Sequence, residues 1–406
     1  MKLFLILCVC FFILLILGVI GSAVVISSGW MYKKAVADLN DGKHQISFKK
    51  LNGMPWSIKA HEVIYAGDKG DIVKKVNAKS VGIGLDWSVF LKNRKVALKS
   101  LNLADGVIEL DLSQEGNGSL RLGLDKVTFD QVEFKMPQLS GWATELKNVE
   151  GSAHRTAGGI NFNLTCASGK SGVIAFEKVK MGGELSSTTL TLRNYEAAFY
   201  GGTLIAPGTL DLASQSLNLP KVTVQNADAS KLLSGIGYNA HLKGTINLVI
   251  ENLTGHFSGT TKSISGKGEL NLINGSTKTT LPAAAMLLGD DFRGKLENLN
   301  GLKGNILFVL QGNKIIIAQG SLINSDLKIQ LTPGGELDYD KTLSMAGELV
   351  VFPKTAESLP SMVKMVLKED PEGYRLPFTV GNTTDDPKID VEINKVINNP
   401  LQNLFK

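Results

Sequence analysis

Six times between Tyr200 and Phe352 the sequence returns to one short phrase: a glycine, a spacer, then apolar residues at alternate positions. The copies are Gly208-Thr209-Leu210-Asp211-Leu212, Gly244-Thr245-Ile246-Asn247-Leu248, Gly268-Glu269-Leu270-Asn271-Leu272, Gly304-Asn305-Ile306-Leu307-Phe308, Gly335-Glu336-Leu337-Asp338-Tyr339 and Gly347-Glu348-Leu349-Val350-Val351. Alternation of apolar and polar side chains fits a half-buried strand, because successive side chains point to opposite faces of a sheet. Each phrase therefore predicts a turn at the glycine followed by a strand, and the set predicts one antiparallel sheet. Irregular spacing between the phrases argues for a meander of unequal hairpins and against a stack of identical units. A sheet of this kind has one oily face, and what covers that face is the functional question.

Composition agrees. The 406 residues include 43 glycines against 12 prolines, and abundant glycine among alternating Leu, Ile, Val and Thr is what an all-β chain with many turns carries. The length allows one large or two ordinary domains. A net charge of +5, spread over interspersed Lys, Arg, Asp and Glu, lacks the clustered basic stripe that a nucleic-acid partner requires. Of the three cysteines, Cys8 and Cys10 lie in an apolar run, which leaves Cys166 alone in the body of the chain and no disulfide framework there.

From Leu3 to Ile26 the chain carries no charge and is almost wholly apolar, long enough to cross a bilayer as a helix. Trp30 and Tyr32 follow where aromatic side chains favour the headgroup region. The competing reading is a cleavable signal peptide ending at Gly21-Ser22-Ala23, although the apolar run exceeds the usual core of such signals. Lys2 precedes the run while Lys33, Lys34 and Lys43 follow it. That count alone would keep the body in the cytoplasm, but long domains translocate largely regardless of it.

The expected organisation is an anchor over residues 1–32, an N-terminal β region over 33–199 and a more regular β region over 200–406. Helical interruptions are few: Ala227 to Leu233, Pro282 to Phe292 with proline at a favoured first position, and Glu357 to Lys368. In the last of these Leu359, Met362, Val363, Val366 and Leu367 group on one side. Signals for chemistry are absent. His44, His61, His154, His241 and His256 show no metal-ligand spacing, and Gly169-Lys170-Ser171 lacks the first glycine and the following helix of a phosphate-binding loop. Asp290-Asp291 and Asp385-Asp386 are adjacent pairs whose side chains point apart, as capping and turn residues do. No nucleophile motif appears. Neither an enzyme nor a cofactor is expected.

Several pieces of the chain resemble the AsmA-like proteins of Gram-negative envelopes. They are Leu85 to Leu103 (Leu-Asp-Trp-Ser-Val-Phe-Leu-Lys-Asn-Arg-Lys-Val-Ala-Leu-Lys-Ser-Leu-Asn-Leu), Tyr200-Gly201-Gly202-Thr203, Gly266 to Gly275, and Leu376 to Gly381 running into Asp386-Pro387-Lys388. The resemblance implies a single-pass inner-membrane helix, a periplasmic body, and an elongated, curled antiparallel sheet forming a β-groove. It also implies lipid transport or outer-membrane biogenesis, with phospholipid or another acyl-chain lipid as partner. The chain is shorter than the larger members, so bridging a periplasm would take further copies or partners. Glu372-Gly373-Tyr374-Arg375-Leu376-Pro377-Phe378 and the Gly-x-Leu-x-Leu phrasing also resemble the N-component of type II secretion systems, which implies an assembly subunit with protein partners. On the first reading, Leu110, Leu112, Ile246, Leu248, Leu270, Leu272, Ile315 and Ile317 are the expected apolar groove lining.

Overall fold

The structure is a computed structural model that describes residues 45–391 other than 55–56, 69–72, 86–97, 111–125, 140–141, 187, 212, 236, 238–241, 257–262, 279–289, 365–366 and 385. The expected anchor, with Leu3, Ile26, Trp30 and Tyr32, lies outside the described residues. Among those described, no helix is long and apolar enough to cross a membrane. The described chain is all-β with a few short helices, as the alternation predicts. The described residues divide into two compact units, one made of those up to 172 with 176–195 and 210–215, the other of 173–175, 196–209 and those from 216 onward.

The first ten strands are β1 (Gln45–Ser47), β2 (Lys50–Met54), β3 (Ser57–Ala66), β4 (Val73–Leu85), β5 (Leu98–Leu110), β6 (Lys126–Leu139), β7 (Trp142–Arg155), β8 (Ile160–Ser171), β9 (Ile174–Ser186) and β10 (Thr189–Phe199). β1 and β2 both pair with β3, and antiparallel pairing continues from β3 to β4 to β5 and from β6 to β7 to β8. β5 and β6 pair in parallel, so the expectation of a purely antiparallel sheet is corrected at this step. Parallel neighbours need a crossover of a dozen or so residues, and residues 111–125 separate these two strands.

One row of residues curls this sheet. Glu62, Asp105, Gln131, Asn148 and Lys178 all take left-handed backbone, with φ between 49° and 53°. All five are exposed, and each is followed by a small residue: Val63, Gly106, Val132, Val149 and Val179. The small residues and their neighbours line up across the strands. Val63 pairs with Ala78, Ala78 with Gly106, Val132 with Val149 and Val149 with Cys166. Val132 and Val149 are fully buried and Val179 is 1 % exposed. A left-handed residue inside a strand breaks the ladder and raises the local twist, so a line of them creases the sheet. Nothing larger fits on the inner side: a Cβ on Gly106 would lie 2.8 Å from the Asn77 carbonyl oxygen.

The later elements are β11 (Gly202–Ile205), β12 (Gly208–Asp211), β13 (Ser216–Asp228), α1 (Ala229–Gly235), β14 (Lys243–His256), β15 (Ser263–Lys278), α2 (Asp290–Glu297), β16 (Asn298–Gly312), β17 (Lys314–Ile323), β18 (Leu327–Leu331), β19 (Glu336–Asp338), β20 (Leu343–Val351), α3 (Pro353–Ala356), α4 (Ser361–Lys364), β21 (Lys368–Asp370), β22 (Gly373–Asn382) and β23 (Pro387–Val391). β13 to β17 form a continuous antiparallel run. β17 then pairs with β18 and β19, both of which pair with β20, and β20 leads to β22, flanked by β21 and β23. The crease recurs here, with Asn226 and Asn274 left-handed and Ala227 and Gly275 buried behind them.

The recurring glycine does not mark a turn in most of its copies. Gly244, Gly268, Gly304 and Gly347 lie inside strands. The reason is visible at two of them: Gly268 is paired with Phe308 and Gly347 with Phe378, and the rings lie over the bare backbone. A Cβ on Gly268 would come 2.1 Å from Phe308 Cζ, and one on Gly347 would come 2.7 Å from Phe378 Cζ. Gly169 sits under Phe176 in the same way in the first unit. A strand glycine covered by a cross-strand aromatic ring recovers the burial that the missing side chain forgoes.

Two helical expectations also shift. α2 begins at Asp290, where Asp290 and Asp291 complement the positive end of the helix, while 281–289 lie outside the described residues. Of the helix expected over Glu357 to Lys368 only the four residues of α4 are helical among the described residues, and α3 ends before that range; Pro360 has no N–H to continue α3 into α4. Leu359, Val363 and Leu367 are nonetheless buried together, so the apolar grouping survives without the continuous helix.

Two stability tests follow from these placements. Gly268→Ala and Gly347→Ala should each cost about 1–3 kcal/mol through overpacking, whereas Gly294→Ala, in α2 with open space around it, should gain roughly 0.5–1 kcal/mol. Urea titration reads all three, and equal effects at the three sites would contradict the ring-over-glycine packing. Gln131→Gly and Lys178→Gly relieve left-handed strain of about 1 kcal/mol, so both should raise the thermal midpoint while Gln131→Val lowers it.

Candidate functional site

The apolar face of the second unit is assembled by register. Ile246 stands opposite Leu272 and Leu248 opposite Leu270. Leu270 then faces Ile306, Phe308 faces Ile317, and Leu310 faces Ile315. All of these side chains are aliphatic or aromatic.

This face has two zones. At one end it is closed by helices. Phe292 and Leu296 of α2, Ala356 of α3, Leu359 and Val363 pack with Ile246, Leu272, Leu302, Leu327, Val351 and Leu376. Phe292 is 0 % exposed and Leu302 1 %. At the other end Phe308, Leu310 and Ile317 are buried beneath a border of half-buried residues: Ile250, Leu253, Ile264, Ile306, Ile315, Leu331 and Met345. No helical residue belongs to this second cluster among the described residues. Leu248 and Leu270 touch both clusters, so the two zones are one surface, sealed at one end.

The helices are fastened to the sheet through one carboxylate. Asp326 Oδ1 accepts hydrogen bonds from Lys295 Nζ of α2 at 2.9 Å and from Thr355 Oγ1 of α3 at 3.0 Å, and Oδ2 accepts from Ser325 Oγ at 2.9 Å. The turn carrying it is set by Asn324, whose Oδ1 accepts from the backbone N–H groups of Asp326 and Leu327, both at 2.9 Å. Phe352, just before α3, donates its N–H to the Asp326 carbonyl at 3.1 Å. Lys295, then Ser325 and Thr355, hold the Asp326 carboxyl below its usual range despite some desolvation.

The expected lining residues fall in four places. Leu248, Leu270, Ile315 and Ile317 lie on the open zone or its boundary, and Ile246 and Leu272 stand beneath α2. Leu110 is half-buried at the margin of a separate core in the first unit, and Leu112 lies outside the described residues. Sequence reasoning missed Ile250, Leu253, Ile264, Ile306, Phe308 and Leu331. Ile306 and Phe308 already stand in the fourth phrase and Ile250 extends the second by one residue pair, whereas Ile264 and Leu331 precede their phrases and Leu253 falls out of the alternation past left-handed Asn252.

Elsewhere the described surface offers little convergent chemistry. Among the described residues no group of three His, Cys, Asp or Glu side chains is placed to hold a metal ion. A shallow, open depression of about 460 Å³ runs along the crease of the first unit, where Gln131, Asn148 and Lys178 surround Cys166. The Cys166 thiol is buried, and that burial pushes it up to about 11, where a thiolate nucleophile is scarce at neutral pH.

Asp326→Asn should lower stability by about 1 kcal/mol at neutral pH. The folded carboxyl lies below its unfolded value, so its contribution is present above the unfolded range near pH 4 and is lost as pH falls through the folded value. Denaturant titrations of the two proteins should therefore converge in acid, and a gap that persists to pH 2 would remove the carboxylate from this role. No protein-family model, curated protein or solved structure matches the chain.

Proposed function

We propose that this chain is a non-enzymatic, membrane-anchored envelope protein whose second unit holds hydrocarbon chains on an open apolar trough. The observation that carries the reading is the open zone itself. Twelve aliphatic and aromatic side chains share one sheet face, nine of them only half-buried, and the cross-strand rows Ile250–Gly268–Phe308–Ile317 and Leu248–Leu270–Ile306–Gly320–Leu331–Gly347 hold only aliphatic, aromatic and glycine residues. A polar ligand would find nothing there to fix its orientation. A peptide laid flat on the face would bury backbone N–H and C=O groups without partners, at a cost for each. A hydrocarbon chain has neither requirement, and each buried CH₂ contributes about 0.8 kcal/mol. The anchor over residues 1–32, the inner-membrane location and the periplasmic body belong to the same proposal, resting on the apolar run and the family resemblance.

The test is to extract the full chain with a detergent-free polymer and analyse it by native mass spectrometry. Bound acyl lipid is expected. Leu248→Asp and Ile315→Asp place a carboxylate on the half-buried lining and should lower lipid occupancy at least tenfold while leaving the circular-dichroism spectrum unchanged. Leu272 is unsuitable for this purpose because it supports the helices. If gently extracted protein carries no lipid and instead brings down a stoichiometric protein subunit that these substitutions release, the trough is a protein-docking face and the secretion-assembly reading replaces this one.

A further inference from the structure

We propose that α2 is the closed end of the trough and sets the length of acyl chain that it accepts. The inference rests on the hydrocarbon-holding reading above and adds a specificity to it.

Leu248 and Leu270 are where the open zone meets the closed one. Beyond them Ile246 and Leu272 are 2 % and 3 % exposed, under Phe292 and Leu296 of α2. A chain lying along the strands therefore meets a packed wall after Leu248. In the other direction the half-buried lining runs to Leu253 on β14 and Ile264 on β15, and the loop side beyond is polar. Gln311 and Asn313 are exposed, and Lys314 Nζ pairs with Glu336 Oε2 at 2.6 Å. The trough thus has one dry end and one wet end, which orients a molecule with a hydrocarbon tail and a polar head.

Its length follows from the strand geometry. Leu270 to Ile264 is six residue steps of regular strand, so at about 3.3 Å per residue the open lining is roughly 20 Å long on β15, whereas Leu248 to Leu253 crosses the bulge at left-handed Asn252 and is shorter. An extended hydrocarbon advances about 1.25 Å per carbon, the projection of a bond of about 1.5 Å, so the lining accommodates up to about 16 carbons. Methylenes beyond that number find no apolar surface unless α2 is displaced. The wall is firm for a reason already given: the Asp326 carboxylate holds both α2 and α3 to the turn before β18.

The experiment measures affinity across a series of saturated monoacyl phosphocholines of 8 to 20 carbons, each below its micelle threshold, competing with a fluorescent acyl lipid on the full chain. Affinity should rise about fourfold per added CH₂, the ratio that corresponds to about 0.8 kcal/mol, and then level off by about 16 carbons. Leu248→Trp extends the wall into a half-buried position and should move the break to shorter chains by two carbons or more. Phe292→Ala hollows the wall and should move it to longer ones. Because Phe292→Ala removes a fully buried ring and can fail to fold, Leu248→Trp decides the matter. A rise that continues unbroken to 20 carbons, or a break that Leu248→Trp leaves in place, overturns the stop while the trough stands. Absence of binding at every chain length removes the trough and the stop together.

Discussion

A residue in left-handed backbone cannot continue a flat strand, and this fold places one at the same height on strand after strand. The cost is about 1–2 kcal/mol for each residue other than glycine. Asparagine reduces it at Asn148, Asn226 and Asn274, but Glu62, Gln131 and Lys178 bear it. What it secures is a bend whose inner corner holds only Val, Ala, Gly and Cys side chains, several of them fully buried. A long antiparallel sheet without such a line would be a twisted ribbon with an exposed oily face, prone to pair with other copies. Creasing lets each unit turn that face toward itself, and every later feature of the second unit presupposes the curl.

Curling alone does not decide how full the interior becomes. In the closed zone of the second unit, α2, α3 and α4 supply Phe292, Leu296, Ala356 and Val363, and the sheet residues beneath them are dry. In the open zone the volume is kept low from the sheet side. Gly268 and Gly347 bring no side chain, and the rings of Phe308 and Phe378 lie in the space vacated, so the lining rises little above the backbone. Leu248, Leu270, Ile306 and Ile315 then flank a surface that nothing in the described chain covers completely. Glycine and helix therefore act oppositely on one sheet face, thinning it at one end and filling it at the other.

The alternation in the sequence was enough to read the strands and to place Ile246, Leu248, Leu270 and Leu272 on an apolar face. Period-two patterning specifies the side of a sheet directly. It does not specify which glycine turns the chain and which sits under a ring, because that depends on the partner strand: Gly268 is explained only by Phe308, forty residues later in the register. The crease was similarly hidden. Gln131-Val132, Asn148-Val149 and Lys178-Val179 look unremarkable singly and form a line only once pairing brings Val132 to Val149 and Val149 to Cys166. Asn324-Ser325-Asp326 reads as a turn, and it is one. That its carboxylate holds two helices depends on Lys295 and Thr355, 31 and 29 positions away, a distance over which no local pattern reports.

Under the proposed reading, the chemistry of the lining also bears on how a bound chain would move. Attraction between hydrocarbon and an aliphatic surface is proportional to area and nearly indifferent to direction. Side chains from Leu253 and Ile264 to Leu248 and Leu270 are close in kind, so a chain displaced along the strands exchanges one methylene contact for another of about equal worth. Lateral displacement is different, since it carries methylenes off the lining and into water. Such a surface holds a chain firmly across the strands and loosely along them, until Phe292 and Leu302 end the free path. A pocket with fixed hydrogen-bonding groups would bind one pose more tightly and permit less travel. The absence of polar groups from this lining is therefore suited to a chain that slides, and the single wall is what gives the sliding a terminus.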